Sequence, residues 1–177
     1  GYMIRVAIFD VDGTCTDGTV AYLDGGIRGR IFNVRDGQGI TQLRQSDVNV
    51  WLVSGEQDSH LFDRSEKLGV DQLFGLPDKR RVLEELSLDI NNKEIAFMGD
   101  DVGDIPLLMM VGMPACPQDA HPDVLNCVVG LRGFVATKDG GKGAVREFCD
   151  HIIVGNRRET DPESLREFHD LKQALLD

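Results

Sequence analysis

The chain has 177 residues, 41% of them hydrophobic, and sets 19 Lys and Arg against 30 Asp and Glu for a net charge of -11. That length suits one domain with a real core, and the acidity, offset by no basic stretch, argues against a nucleic-acid partner. No apolar run approaches the roughly 20 residues of a membrane span and the N-terminus carries no signal-peptide pattern, so no membrane partner is expected. The four cysteines (Cys15, Cys116, Cys127, Cys149) form no C-x-x-C pair, and a reduced, cytoplasmic setting is the simple reading.

In chain order, the first predicted element is the run Ile4 to Phe9, apolar enough to be a strand buried on both faces, as in a parallel sheet. Gly18 to Phe32 reads as a hairpin turning at Asp24-Gly25-Gly26, with Val20, Tyr22, Ile27 and Ile31 as strand formers. Helical spacing follows over Gly39 to Gln45, then a buried strand over Val48 to Val53. Glu56 to Leu68 reads as a helix with Leu61, Phe62 and Leu68 inward, stopped by Gly69. A short strand over Val70 to Phe74 precedes a helix from about Asp78 to Leu86, with Val82, Leu83 and Leu86 on one side. Ile95 to Met98 is the third long-range strand; Asp104 to Met110 is helical, and Met113 to Cys116 and Val128 to Val129 read as short strands. Gly143 to Val154 completes the helices of a domain spanning 1–154. The tail, 155–177, is polar, with a second helix suggested by Phe168, Leu171 and Leu175. Alternating β and α segments imply an α/β fold, a mainly parallel sheet with helices on both faces.

The chemistry gathers at strand ends. Asp10 and Asp12 close the first strand, Ser54 the second, and Asp100 and Asp101 the third, with Asp104 one helical turn on and Lys79 opening the helix between. In a parallel sheet these ends lie along one edge, in the crevice where such folds bind ligands. Carboxylates that converge repel, and oxygen donors beside a hydroxyl and an ammonium suit Mg²⁺ and a phosphate. Lys79, Arg80 and Arg81 crowd the first turn of a helix, where cations oppose the macrodipole; that placement makes sense if Lys79 points at an anion.

The order D-x-D-G-T, S-G, Lys, G-D-D-x-x-D resembles the haloacid-dehalogenase superfamily, and the resemblance runs from Ile4 to Ile153. It implies a Rossmann-like three-layer α/β/α fold and a magnesium-dependent phosphatase. In that family pattern Asp10 is the nucleophile that forms an aspartyl-phosphate, and Asp12 protonates the leaving oxygen and then activates water. Ser54 and Lys79 hold the phosphoryl group. Asp10, Asp100 and the Asp12 carbonyl bind Mg²⁺, with Asp101 and Asp104 supporting the metal shell.

Asp10 and Ser54 lie 44 positions apart, and Ser54 and Lys79 only 25, which leaves no room for a cap domain with its own core. A hairpin from a neighbouring subunit is the expected cover, in a homotetramer. Within the superfamily, Phe32-Asn33-Val34-Arg35-Asp36-Gly37 and Gly140-Gly141-Lys142-Gly143-Ala144-Val145-Arg146-Glu147 are similar to the capless 3-deoxy-D-manno-octulosonate 8-phosphate phosphatase family, with its 2-keto-3-deoxynononate 9-phosphate relatives. The resemblance implies a sugar-acid phosphate as substrate. Gly55-Glu56 with Lys67 leans toward the nine-carbon acid, and Arg35, Arg64 and Arg146 are candidates for contacting the substrate. The rival readings are a silent oligomerisation module like the one fused to sialic-acid-activating enzymes, a phosphomutase, which the missing cap disfavours, and a receiver domain, whose acids are spaced differently.

Overall fold

A computed structural model describes residues 2–176, apart from the side chains at 162, 164, 165 and 167–169. Strand β1 (Val6–Asp10) is buried along its whole length. It pairs in parallel with β4 (Asn49–Ser54) on one side and β6 (Ile95–Met98) on the other. The sheet extends through β5 (Asp71–Phe74) at one edge and through β7 (Met113–Cys116) and β8 (Phe134–Val135) at the other, giving the order β5-β4-β1-β6-β7-β8, parallel throughout. From β1 the chain winds outward to β5 and then returns to β6, so the winding direction reverses beside β1. That reversal opens the ligand crevice of a doubly wound sheet at the carboxyl end of β1.

Strand alternation assigns the two cores. Ala7, Phe9 and Val11 face a cluster with Ile40 and Leu43 of α1 (Val34–Gln45), Leu61 and Leu68 of α2 (Ser59–Leu68) and Phe148 and Ile152 of α6 (Ala144–Thr160). Val6 and Ile8 face the opposite cluster, with Val82 of α3 (Val82–Glu85), Leu107 and Leu108 of α4 (Ile105–Leu108) and Val124 and Val128 of α5 (Pro122–Gly130). Phe148 lies between Phe9, edge-on at 6.1 Å, and Phe134, stacked at 5.3 Å. The Asn156 amide donates to Ile4 O and accepts from Ile4 N, both at 2.8 Å, pinning α6 to the start of the sheet.

Outside the sheet, β2 (Ala21–Tyr22) and β3 (Arg28–Gly29) form the expected hairpin, turning through Asp24–Gly26. Its Tyr22, Leu23, Ile27 and Ile31 side chains are exposed.

Several expectations need correction. Val128 and Val129 belong to α5, not a strand: Val124 and Val128, four residues apart, fill the core while Val129 points outward. The strand near there is β8, two residues long, whose Phe134 stacks on Phe148. The helix over Asp78 to Leu86 is a 3₁₀ turn (Lys79–Arg81) running into α3 and ending at Glu85. Helix α2 starts at Ser59 rather than Glu56. Phe62 is partly exposed, resting edge-on against Phe74 at 5.0 Å instead of entering the core. Helix α6 continues past Val154 to Thr160, and α7 (Pro162–Ala174) follows. Leu171 and Leu175 are exposed, and the Phe168 side chain lies outside the described residues.

Candidate active site

Past Asp10 the chain leaves β1 in an irregular turn, Val11–Cys15, closed where Thr16 N donates to Val11 O at 3.1 Å. Gly13 makes the turn possible in two ways: its φ of 84° suits glycine, and a Cβ there would lie 1.8 Å from Asp100 Oδ2. The glycine cluster near the C-terminal helix has a similar cause. A Cβ on Gly140 would meet Gly13 O at 1.9 Å, and Gly141 N donates to Thr14 O at 3.0 Å. Gly140 and Gly141 therefore buttress the loop carrying Asp12 and Gly13, while Asp36 Oδ1 accepts from Arg146 N at 3.0 Å at the start of α6.

Asp10, Asp100 and Asp104 come together: one oxygen of each lies within 4.8 Å of the others. Lys79 Nζ donates to Asp10 Oδ1 at 2.6 Å and to Asp104 Oδ1 at 2.5 Å. Asp104 is fully buried, and its other oxygen accepts from Asp100 N at 2.9 Å and Asp101 N at 3.1 Å. One Asp104 oxygen thus holds Lys79 while the other shapes the loop after β6. Asp101 caps that loop's 3₁₀ turn, its carboxylate accepting from Val102 N at 2.7 Å. Ser54, buried at the end of β4, accepts from Glu56 N at 3.0 Å through Oγ, which leaves its hydroxyl proton free to donate.

Burial, with the Asp104 charge behind it, holds the Asp10 carboxyl well above the usual carboxylate range. Burial likewise pushes Asp100 up to about 6. For Lys79, burial would lower the ammonium, but Asp10 and Asp104 outweigh it and hold the group above its ordinary value. Three carboxyls and one ammonium leave excess negative charge in a buried place, which calls for a proton or a cation. The donor set fits a divalent cation such as Mg²⁺: all oxygen, closely grouped, with Asp100 Oδ1 buried and without a hydrogen-bond partner.

The other predicted residues separate. Asp12 is not one of the grouped acids; it is gripped by Arg30, Nε to Oδ1 at 2.6 Å and Nη2 to Oδ2 at 3.2 Å. Glu56 pairs with Arg28 of the hairpin at 2.8 Å, and Gly55 precedes it at the end of β4. Arg64 and Lys67 line a groove of about 520 Å³ between α1 and α2, where Arg64 also covers the Phe32 ring at 5.0 Å. No ion pair joins Glu56 to Lys67 among the described residues. Arg35 and Arg146 line a different groove, of about 650 Å³, beside the start of α6, and Arg146 pairs with Asp150 at 3.2 Å. Arg28, Arg30, Asp58 and His60 escaped the sequence reading. The one signal for the two arginines is their i, i+2 spacing, which in an extended segment puts two cations on one side.

No family model matches the chain. A 3-deoxy-D-manno-octulosonate 8-phosphate phosphatase of Yersinia pestis is 38% identical over 154 residues, covering 85% of this chain and 80% of the relative. The crystal structure of the phosphatase of that name from Yersinia pestis superposes with a TM-score of 0.81 at 36% identity, covering 89% of this chain and 85% of that one. A third relative, from Moraxella catarrhalis, was solved with a magnesium ion, a phosphate ion and a KDO molecule; it gives a TM-score of 0.81 at 28% identity and covers 88% of this chain and 89% of its own.

The raised Asp100 carboxyl has a consequence for stability. Between the ordinary carboxylate range and about pH 6 the folded protein binds more protons than the unfolded chain, so this group's contribution, complete at low pH, is lost as pH rises through that window. After EDTA treatment, Asp100→Asn should therefore gain denaturant midpoint relative to the unsubstituted protein as pH goes from 4 to 7. A difference that is flat with pH, or that shrinks, would contradict the burial argument.

Proposed function

The chain belongs to the 3-deoxy-D-manno-octulosonate 8-phosphate phosphatase family of the haloacid-dehalogenase superfamily and is a phosphatase of sugar phosphates; from that premise we propose that it hydrolyses the phosphomonoester of a 2-keto-3-deoxy sugar acid through an aspartyl-phosphate on Asp10. The observation that carries the reading is the meeting of Asp10, Asp100, Asp104 and Lys79 at the carboxyl edge of the sheet.

In the proposed reaction an Asp10 carboxylate oxygen attacks phosphorus in line, and the bond from phosphorus to the sugar oxygen breaks. Asp12 gives its proton to the departing alkoxide, then takes one from the water that attacks the aspartyl-phosphate, releasing phosphate and restoring Asp10. Ser54 Oγ and Lys79 Nζ donate to the phosphoryl oxygens and fix its position. Asp10, Asp100 and the Asp12 carbonyl are the proposed ligands of a magnesium ion, with Asp101 and Asp104 holding the loop behind them. When bound, the ion offsets the carboxylate charge that would otherwise repel a phosphate dianion. The Moraxella relative, solved with magnesium, phosphate and KDO, supports the choice of magnesium and of a phosphate-bearing sugar acid.

The proposed substrate is the nine-carbon acid 9-phosphate, on the strength of Glu56 after Gly55 and of Lys67. The second reading, the eight-carbon 8-phosphate, is favoured by the activity in the relatives' names. The proposed assembly is a homotetramer in which hairpins help cover neighbouring sites, supported by the exposed Tyr22, Leu23, Ile27 and Ile31. A cytoplasmic setting accords with four free cysteines among the described residues, where no helix is long and apolar enough to cross a membrane.

Asp10→Asn should abolish p-nitrophenyl phosphate turnover with the fold intact, and EDTA should silence the unsubstituted protein until Mg²⁺ is returned. Turnover by the variant, or indifference to chelation, would refute the mechanism. Glu56→Arg should move the kcat/KM ratio toward the eight-carbon substrate; an unmoved ratio would remove the basis for the nine-carbon assignment.

A further inference from the structure

We propose that Arg30, at the foot of the hairpin, is a positioning residue that orients the Asp12 carboxylate for proton transfer to the leaving group. The inference rests on the assignment of Asp12 as acid and base, and it deepens that assignment by naming what holds the group in place.

Asp12 sits on the loop after β1 with its side chain 30% exposed, and among the described residues its carboxylate accepts hydrogen bonds from Arg30 alone. Left alone, such a group would sample several rotamers beside a cluster of like charge. Arg30 removes that freedom. Its guanidinium meets the carboxylate fork to fork, one donor per oxygen at 2.6 and 3.2 Å, the arrangement that fixes a carboxylate plane as well as its position. Each Asp12 oxygen keeps a lone pair that Arg30 does not use, so the grip does not block proton transfer.

Arg30 is itself held rigidly. Its side chain is fully buried, and its far nitrogen, Nη1, donates to Asp58 Oδ2 at 2.7 Å and to His60 Nε2 at 2.9 Å. Asp58 is fixed from its other side by Arg28, whose Nε and Nη2 reach Oδ1 at 2.8 and 2.6 Å. The result is an alternating row, Asp12, Arg30, Asp58, Arg28, Glu56, that links the catalytic loop to the start of α2 through the hairpin. Asp58 occupies the N-cap position of α2 yet makes no capping hydrogen bond. The chain forgoes that cap interaction and turns the carboxylate to the two arginines.

The simpler reading makes Arg30 a tether for the hairpin. Arg28 already ties the hairpin to Asp58 and Glu56, so a tether does not account for the two donors Arg30 aims at Asp12.

The test measures kcat/KM, which reports events through the first phosphoryl transfer, for full-length protein with Mg²⁺ on two esters. One is p-nitrophenyl phosphate, whose leaving group departs with little need of a proton; the other is 3-deoxy-D-manno-octulosonate 8-phosphate, which releases an alkoxide that needs one. Arg30→Gln should lose about 10–100-fold on the sugar ester, within the ~10²–10⁴-fold range of general acid catalysis, and several-fold less on the aryl ester, with KM little changed. Arg30→Lys, which keeps the charge but not the fork, should recover part of the loss and should show the same ester dependence even if Arg30→Gln folds poorly. In an Asp12→Asn background, Arg30→Gln should cost nothing further. Equal losses on both esters, or a full additional loss without the Asp12 carboxylate, would reduce Arg30 to a tether and overturn the proposal. If Asp12→Asn alone spares the sugar ester, the acid–base assignment itself fails and the Arg30 inference falls with it.

Discussion

The structure is organised around a charge imbalance: three carboxyls at the carboxyl edge of a parallel sheet, Asp10 and Asp104 buried and Asp100 partly so, against the single ammonium of Lys79. Isolated from water, that group does not hold together as three anions. Burial raises both the Asp10 and the Asp100 carboxyl, the direction expected where negative charge gathers without enough cations to offset it. The same imbalance makes the place receptive. A site short of positive charge suits a divalent cation, and such an ion beside Lys79 would favour a phosphate within a chain of net charge -11.

The scaffold holds this imbalance through backbone rather than bulk. Asp104 spends one oxygen on Lys79 and the other on the amides of Asp100 and Asp101, so it braces the loop that carries Asp100. Gly13 supplies the room that Asp100 needs, and Gly140 lets a distant loop press against Gly13. The hairpin contributes at a second level, since Arg30 and Arg28 connect the Asp12 loop to α2 through Asp58. Asp10, at the end of β1, and Asp12, two residues on in the following turn, are thus secured by different means, Asp10 by the sheet and Lys79, Asp12 by the hairpin.

Much of this was legible in the chain because its signals are local. Val6 to Phe9 and Ile95 to Met98 are apolar on both faces, as a central parallel strand must be, and acids directly after such strands fall at the crevice whatever the loops do. The hairpin was legible from its glycine turn. What escaped depends on tertiary partners. Val128 and Val129 are β-branched and look like a strand, yet the groove on the sheet accepts Val124 and Val128 as a helical pair. The helix expected over Asp78 to Leu86 shrinks because its first turn tightens to 3₁₀ geometry, with Lys79 drawn to two carboxylates. The i, i+2 spacing of Arg28 and Arg30 is a weak signal, since an arginine in a hairpin is ordinarily solvated; only the folded chain shows Arg30 buried between Asp12 and Asp58. Lys79 was expected to point at an anion, and the anions it meets are the protein's own.

The most direct test of this charge-centred account is a crystal structure of the protein with Mg²⁺ and orthovanadate. The account predicts vanadium seated against an Asp10 carboxylate oxygen, within reach of Ser54 and Lys79, and magnesium touching both Asp10 and Asp100. Vanadate or magnesium bound away from these residues, or Asp10 and Asp100 facing apart once the ions are present, would contradict it.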